Sequence, residues 1–371
     1  MTRRTYCLVL WLLLASPFAG VPPAHAANPQ AAATAQSSAT ASPAAKKPAS
    51  DDDDDKDDDK HSPIPPDEVH HPVLWHDPGN IASRDLLHGQ GGTEDEPKPP
   101  FKFLEEDHRQ STPKFDARDA NGKKWRVKLG GESRPEVVIS RLLWAVGYYV
   151  EDDYVLAAAT IPGIHMKRGN QYIHGQQIAD ARFARKPGDE KKIATWRWKS
   201  NPFSGTRELN GLRVMMALVN SWDLKDENNA VYSDKKHDRQ LFLVSDTGSS
   251  FGRTGLHFVN SLSKDNVKAY AKSKFITHTT PTTVSFATPA PSLSLLLETL
   301  GFGIKQYLRR NSMLWIGRKI PREDARWIGG LLGQLTHRQL VDAFRAGDYP
   351  PEQIDQFVTV VEARIHQLNA L

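Results

Sequence analysis

Alternating apolar and polar residues mark the region just past residue 100. Three short runs, at 101–104, 114–118 and 125–129, show the alternation of half-buried β-strands. Asn121-Gly122 separates the last two runs, and this dipeptide is a strong signal for a tight hairpin turn. The pattern therefore predicts a β-rich beginning to the folded part of the chain.

A helical spacing of apolar residues follows the predicted hairpin. Pro135 suits the first turn of a helix, and apolar residues then recur in two neighbouring stripes as far as Gly147. Residues 148–156 predict one more strand, whereas residues 161–193 are charged and carry glycines without a clear period. The predicted order is hairpin, helix, strand.

The second part of the chain is mainly helical in pattern. Thr206 is a typical N-cap for a helix with apolar residues at 209, 212, 216 and 219. Two apolar runs, at 230–232 and 241–244, then predict a second hairpin. Further helices are expected to start at Ser292, Pro321, Thr336 and Pro351.

These elements together predict an α+β fold with two lobes. The β-rich N-lobe is expected to span residues 61–160, and the α-rich C-lobe is expected to span residues 161–371. The chain contains no internal apolar run of about 18 residues, so we expect no membrane span in the mature protein.

The first 60 residues differ in composition from the rest. Two arginines precede an apolar stretch at 7–15, and residues 24–26 offer a small-x-small cleavage site, which is the layout of a secretory signal peptide. We therefore expect residues 1–26 to be a signal peptide and the mature protein to be periplasmic or secreted. Residues 27–60 are rich in Ala, Ser and Pro and then in Asp, which indicates a disordered linker.

Composition and charge exclude several classes of function. The single cysteine, Cys7, lies in the predicted signal peptide, which excludes a disulfide scaffold and a cysteine-ligated metal centre. The net charge of +4 combines the predicted signal peptide at +2, a linker at −4 and a folded part, residues 61–371, at +6. This balance suggests no nucleic acid partner, although it suits a small anionic ligand.

Two polar motifs carry residue types suited to phosphoryl transfer. In the first, after the predicted helix at 206–222, Asp223 would act on an acceptor hydroxyl, Lys225 would steady the charge on the γ-phosphate, and Asn228 would hold a metal ion. In the second, Asp246 follows a predicted strand and would bind the other face of the metal.

A third motif would hold the nucleotide. Lys128 lies on a predicted strand and would contact the α- and β-phosphates, and Glu136 on the next helix would hold this lysine. Glu132 is an alternative partner for the lysine. Gly91 lies in a glycine-rich stretch whose backbone amides could surround a phosphate, although such a stretch also forms plain turns.

Taken in order, these motifs resemble those of the protein-kinase-like fold. Asp223-Leu224-Lys225 followed by Asn228 is similar to the kinase catalytic loop, with Ser221-Trp222 in place of the usual His-Arg. Asp246-Thr247-Gly248 stands where ordinary kinases have Asp-Phe-Gly. Over residues 100–255 the layout looks more like the atypical lipid-kinase, HipA-like and secreted Fam20-like branches.

The resemblance implies an exported atypical kinase with a two-lobed fold. Its cofactors would be ATP or another nucleotide with Mg²⁺ or Mn²⁺. The enzyme would transfer a phosphoryl group to a hydroxyl of a protein, a lipid or a small molecule.

Two alternatives remain open at this point. Because ATP is scarce outside the bacterial cytoplasm, a kinase fold there could instead be a pseudoenzyme that serves as a binding module. Asp246-Thr247-Gly248 also resembles the active-site strand of aspartic proteases, in which two Asp carboxylates share a proton. The sequence has no second Asp-Thr/Ser-Gly, and the predicted helices do not suit that nearly all-β fold.

Overall fold

The described part of the chain contains three β-sheets and six α-helices. The computed structural model describes residues 62–108, 112–185, 191–221, 223–253, 264–287 and 312–371. The strands are β1 Pro72–Val73, β2 Lys102–Asp107, β3 Lys114–Arg118, β4 Lys124–Leu129, β5 Asp152–Thr160, β6 Ile173–His174, β7 Gln177–Arg185, β8 Lys191–Ala194, β9 Asn229–Asp234, β10 Arg239–Val244, β11 Ile276–Thr279, β12 Thr283–Phe286 and β13 Ile320–Pro321. The helices are α1 Ser133–Ala145, α2 Arg207–Leu218, α3 Val267–Lys272, α4 Arg322–Leu332, α5 His337–Ala346 and α6 Pro351–Asn369.

The largest sheet is antiparallel and has six strands. Its order is β2-β3-β4-β7-β5, and β6 pairs with β7. The predicted hairpin is confirmed, because β3 pairs with β4 from Arg118 opposite Lys124 onward, around the Asn121-Gly122 turn. The sheet continues past residue 160, where we expected the N-lobe to end, as far as Arg185 at the end of β7.

The two faces of this sheet differ in chemistry. Because side chains alternate along a strand, Phe115, Val127 and Phe183 lie on one face, where they belong to an apolar core. Lys128 and Arg182 are direct cross-strand partners on the opposite face. The sheet thus has one apolar face and one charged face.

Helix α1 covers the charged face. Eleven of its thirteen residues are buried, and it packs against β5, β7 and α5. Its apolar residues join the main core, while Glu136 and Ser140 bond to charged partners on the sheet. The helix begins at Ser133 rather than at Pro135, which lies two residues inside it.

A second sheet and the remaining helices form the other part of the fold. The second sheet has the order β1-β10-β9-β8, and its antiparallel pair β9 and β10 is the second predicted hairpin. As predicted, Thr206 caps α2 by accepting a hydrogen bond from Leu209 N, and Thr336 caps α5. The helices expected near Pro321 and Pro351 are α4 and α6, whereas the helix start at Ser292 lies outside the described residues.

The predicted α+β class, with its β-rich first part and helix-rich second part, is confirmed. The main core joins α1, α2, β9, β10 and α4–α6 in one cluster of buried side chains. Among the residues that the structure describes, none of the helices is both long enough and apolar enough to cross a bilayer.

Candidate active site

The centre of the candidate site is the buried ammonium group of Lys128 on β4. Its Nζ lies 2.6 Å from Glu136 Oε1, 2.8 Å from Glu132 Oε2 and 3.3 Å from Asp246 Oδ1. Only 4% of the lysine side chain is exposed. The sequence did not decide between Glu132 and Glu136 as the partner of this lysine. In the structure both of them contact it, and Asp246 does so as well.

The turn between β4 and α1 brings Glu132 and Glu136 to this lysine. The chain bends at Gly130, which has a φ of 102°, and Ser133 Oγ then donates a hydrogen bond to Lys128 O across 3.0 Å. Glu132 is the N-cap of α1, and Glu136 lies one turn further along the same side of the helix. The local sequence thus fixes the lysine and its two acids as one unit.

Asp246 lies just after the end of β10. The backbone N–H groups of Ser245 and Asp246 both donate to Asn228 O, at 2.9 and 3.3 Å. The side chain of Asp246 is 30% exposed, compared with 1% for Glu136. Asp246 is therefore the member of the acidic cluster that solvent or a ligand reaches most easily.

The Asp223–Asn228 loop is joined to Asp246 through its backbone. Asn228 Nδ2 donates to Asp223 O across 2.6 Å, and this bond holds the loop closed. Lys225 Nζ lies 2.7 Å from Asp223 Oδ2, and both side chains are partly exposed. These bonds thus join Asp223, Lys225 and Asn228 in one loop, and the backbone of Asn228 joins that loop to Asp246.

Charge controls the protonation of the acidic cluster. Burial disfavours the ionised form of Glu132, but the nearby Lys128 charge outweighs this effect and lowers the pKa of Glu132 to about 2. Burial likewise opposes the charge of Asp246, yet Lys128 and a hydrogen bond with Glu136 hold its pKa below the usual range. Burial raises the pKa of Glu136 to about 7, although Lys128 and Arg182 act in the opposite direction.

Two further lysines lie beside this cluster, and sequence analysis did not single them out. Lys114 on β3 is the direct cross-strand partner of Lys128, and its pKa is lowered by burial and by the Lys128 charge. Lys264 Nζ lies 2.7 Å from Glu132 Oε1. Lys264 lies 132 positions from Glu132, so no local motif indicates this contact. Lys114 meets Lys128 through the register of the predicted hairpin, but it belongs to none of the motifs that we assigned to the site.

Gly91 lies in a turn beside the side chain of Tyr154 on β5. A Cβ atom at Gly91 would meet Tyr154 Oη at 2.4 Å and Asp95 Cβ at 2.7 Å. Tyr154 is the cross-strand partner of Phe183 and shares its apolar face, which is opposite to that of Lys128. The structure therefore does not bring Gly91 together with Lys128, because the glycine-rich turn packs against Tyr154 instead.

Gly248 lets the Asp246 segment approach the two glutamates. A Cβ atom at this position would lie 2.5 Å from Glu132 Cβ and 2.9 Å from Glu136 Oε1. We expect Gly248→Ala to lower the free energy of unfolding by about 1–3 kcal/mol, because the added methyl group pushes the acids away from Lys128. Urea unfolding of the purified protein measures this loss.

Gly131→Ala is the matched control for this substitution. Gly131 lies in the neighbouring turn, and a Cβ atom there would meet nothing within 4 Å. Its unfolding curve should stay close to that of the wild type. Equal stability losses in the two variants would contradict the close approach that we assign to Gly248.

The acidic cluster is also a suitable set of donors for a divalent cation. One carboxylate oxygen from each of Glu132, Glu136 and Asp246 lies within 4.8 Å of the others. Mg²⁺ and Mn²⁺ prefer such hard oxygen ligands. Because Asn228 uses its amide nitrogen to hold the Asp223 loop, its amide oxygen is the atom left for coordination.

Comparison with solved structures finds three chains that match this one. A solved structure described as a Helicobacter pylori proinflammatory kinase, CtkA, is similar to this chain at 12% sequence identity and a TM-score of 0.32. The similarity covers 73% of this chain and 100% of that one. No family model matches the sequence, and no curated protein matches it. The functional argument therefore rests on the geometry of the Lys128 cluster.

Proposed function

We propose that this protein is an atypical kinase that transfers a phosphoryl group from a nucleotide to a hydroxyl acceptor. The observation that carries the proposal is the buried Lys128, held by Glu136 and adjoining Asp246. A lysine held by a helical carboxylate beside a metal-binding aspartate is the combination that binds a nucleotide for phosphoryl transfer. A plain structural ion pair would not need a third, partly exposed carboxylate at the same ammonium group.

The proposed reaction needs a base and a cation next to the acceptor. The acceptor oxygen would attack the γ-phosphorus, the bond from this phosphorus to the β,γ-bridging oxygen would break, and Asp223 would take the hydroxyl proton. Lys225, whose ammonium group lies 2.7 Å from Asp223, would orient this carboxylate and steady the charge on the phosphoryl group. Lys128 would bind the α- and β-phosphates.

Asp246 and Asn228 would hold a divalent cation, while Glu132 and Glu136 stay paired with Lys128. The bound cation would neutralise negative charge on the phosphates. Since Asp246 N donates to Asn228 O, the two proposed ligands belong to one backbone unit. We further propose that the activity is exported, in accordance with the predicted signal peptide at residues 1–26.

The positive charge of Lys128 beside Asp246 does not suit an aspartic protease. That mechanism needs two carboxylates that share one proton and activate water. Here the Lys128 ammonium group lies 3.3 Å from Asp246 and favours its ionised form. The carboxyl group that is hydrogen-bonded to Asp246 is that of Glu136, which also contacts Lys128 and is only 1% exposed, so this pair has little access to the water that a protease would activate.

The test of the proposed chemistry is the Asp223→Asn variant. We expect it to lower the rate of ADP formation from ATP about 10²- to 10⁴-fold, because an amide cannot take the hydroxyl proton. ATP affinity should stay near that of the wild type, since Asp223 does not contact the proposed nucleotide site. ADP formation reports transfer to any acceptor, including water.

Asp226→Asn serves as the matched control in the same loop. Asp226 Oδ1 accepts a hydrogen bond from Trp198 N at 3.1 Å, and an amide oxygen can accept it as well. This variant should keep the wild-type rate. ATP binding by the wild type without any metal-dependent ADP formation would overturn the kinase and favour a nucleotide-binding module.

A further inference from the structure

Arg182 lies at the centre of a buried ion network behind Lys128. It stands on β7 directly opposite Lys128, and its side chain is 9% exposed. Its guanidinium nitrogens lie 2.9 Å from Glu136 Oε2, 3.0 Å from Glu151 Oε2 and 3.1 Å from Asp153 Oδ2. One cation thus serves three carboxylates on the covered face of the sheet.

Glu136 is held from both sides by this arrangement. Lys128 binds its Oε1 at 2.6 Å, and Arg182 lies against its Oε2 at 2.9 Å. Glu136 Oε2 has no hydrogen-bond partner among the described residues, so Arg182 holds it through the charge of its guanidinium group. Arg182 therefore shares the Glu136 carboxylate with Lys128 and keeps it from pairing with the lysine alone.

The network also reaches the hairpin that carries the proposed metal ligands. Glu151 Oε1 accepts a hydrogen bond from Tyr232 Oη of β9 across 2.8 Å. Strand β9 starts directly after Asn228, and its partner β10 ends two residues before Asp246. Through Glu136 and Glu151, Arg182 links the lysine on one sheet to the metal ligands beside the other.

We infer that Arg182 is a positioning residue for nucleotide binding, an inference that rests on the proposed function. When the Arg182 guanidinium group is removed, Glu136 keeps only Lys128 as a cationic partner. The carboxylates of Glu151 and Asp153 then lose the cation that they share. The Lys128 ammonium group is then drawn toward Glu136 and away from the phosphates. Loss of a partner that orients a binding residue typically weakens function about 10- to 100-fold.

The experiment compares Arg182→Met with Arg141→Met. Arg141 is equally buried and also binds Asp153, at 3.2 Å, but it lies on α1 and has no ion pair with Glu136. Both variants lose a buried guanidinium group, so both should unfold at a lower temperature. The affinity for ATP with Mn²⁺ is measured by calorimetry, well below both unfolding temperatures.

We expect Arg182→Met to bind ATP about 10- to 100-fold more weakly than the wild type, and Arg141→Met to bind it with nearly wild-type affinity. Arg182→Lys, which keeps the positive charge but loses the planar guanidinium group, should recover part of the affinity for ATP. If Arg182→Met does not fold, Arg182→Lys alone is compared with Arg141→Met and the wild type.

Three outcomes decide between the claims. Wild-type affinity in the Arg182 variants, or equal weakening in the Arg182 and Arg141 variants, overturns the positioning role and leaves the proposed kinase intact. A wild-type protein that binds no nucleotide overturns the proposed function and this inference with it. Selective weakening at Arg182, with partial recovery in Arg182→Lys, supports both.

Discussion

Lys128→Met should abolish ATP binding and lower the free energy of unfolding by about 3–5 kcal/mol. Both effects have the same cause, since the ammonium group is the cation shared by Glu132, Glu136 and Asp246. Its removal leaves like charges close together in a buried site. Urea unfolding and calorimetry with ATP and Mg²⁺ measure the two losses separately.

Lys124→Met is the matched control on the same strand. Its ammonium group pairs with Asp116 at 3.2 Å, and the side chain is far more exposed than that of Lys128. Asp116 is buried but keeps Arg126 as a second cationic partner at 2.5 Å, so we expect the loss of Lys124 to cost about 1 kcal/mol and the nucleotide affinity not to change. Equal effects at the two lysines would show that Lys128 has no special role.

Asp246→Asn should remove metal-dependent nucleotide binding and also lower the stability of the fold. An amide is a weak ligand for Mg²⁺ or Mn²⁺, so the proposed metal loses its most accessible carboxylate. Lys128 keeps Glu132 and Glu136 as partners, but it loses its ion pair with Asp246, whose pKa is held below the usual range because the fold favours its ionised form. Calorimetry with ATP, in the presence of Mn²⁺ or of EDTA, separates a loss of metal-dependent ATP binding from a loss of metal-independent ATP binding.

Asp234→Asn is the control at the opposite end of the same hairpin. Asp234 is buried and pairs with Arg239 and His237, both at 2.7 Å. This substitution should reduce stability, because the ionised carboxylate is paired, and should leave ATP binding unchanged. The two aspartates are thus expected to differ in nucleotide binding, and an Asp246→Asn variant with wild-type binding would exclude Asp246 as a metal ligand.

Local sequence predicted those parts of the fold whose pattern is set by near neighbours. The Asn121-Gly122 hairpin, the Thr206 cap and the second hairpin all depend on residues a few positions apart. The strand expected at 148–156 begins only at Asp152, in β5. Tyr148 and Val150 gave the apolar signal, but they pack into the main core ahead of the strand.

Strand β7 was not predicted, because its polar residues are buried. An exposed strand face is usually polar and a buried one apolar, so the charged residues of 161–193 gave no clear pattern. In the structure Arg182 is buried by ion pairs with acids of α1 and of the residues around the start of β5. A strand whose charged residues are buried against oppositely charged residues of a covering helix cannot be identified from hydrophobic spacing alone.

The residues of the candidate site also fall into two groups, those that the local sequence predicted and those that it did not. Lys128, Glu136, Asp223, Asn228 and Asp246 were found because their spacing is local and matches a known chemistry. Partners that meet only through tertiary pairing, such as Arg182 and Lys264, were not found. Gly91 was a motif without its structural context, since the glycine-rich turn packs against Tyr154 and, at Gly89, against Arg141 of α1.

The central claim is that the Lys128 cluster binds a nucleotide together with a divalent metal. A thermal-shift measurement on the full chain, with ATP plus Mg²⁺ or Mn²⁺ and with each component alone, tests it most directly. Saturation at about 100 times the dissociation constant would stabilise the fold by about 2.7 kcal/mol. We predict a higher unfolding temperature with ATP and metal together, lost in Asp246→Asn. An unchanged unfolding temperature in every combination of nucleotide and metal would contradict the claim.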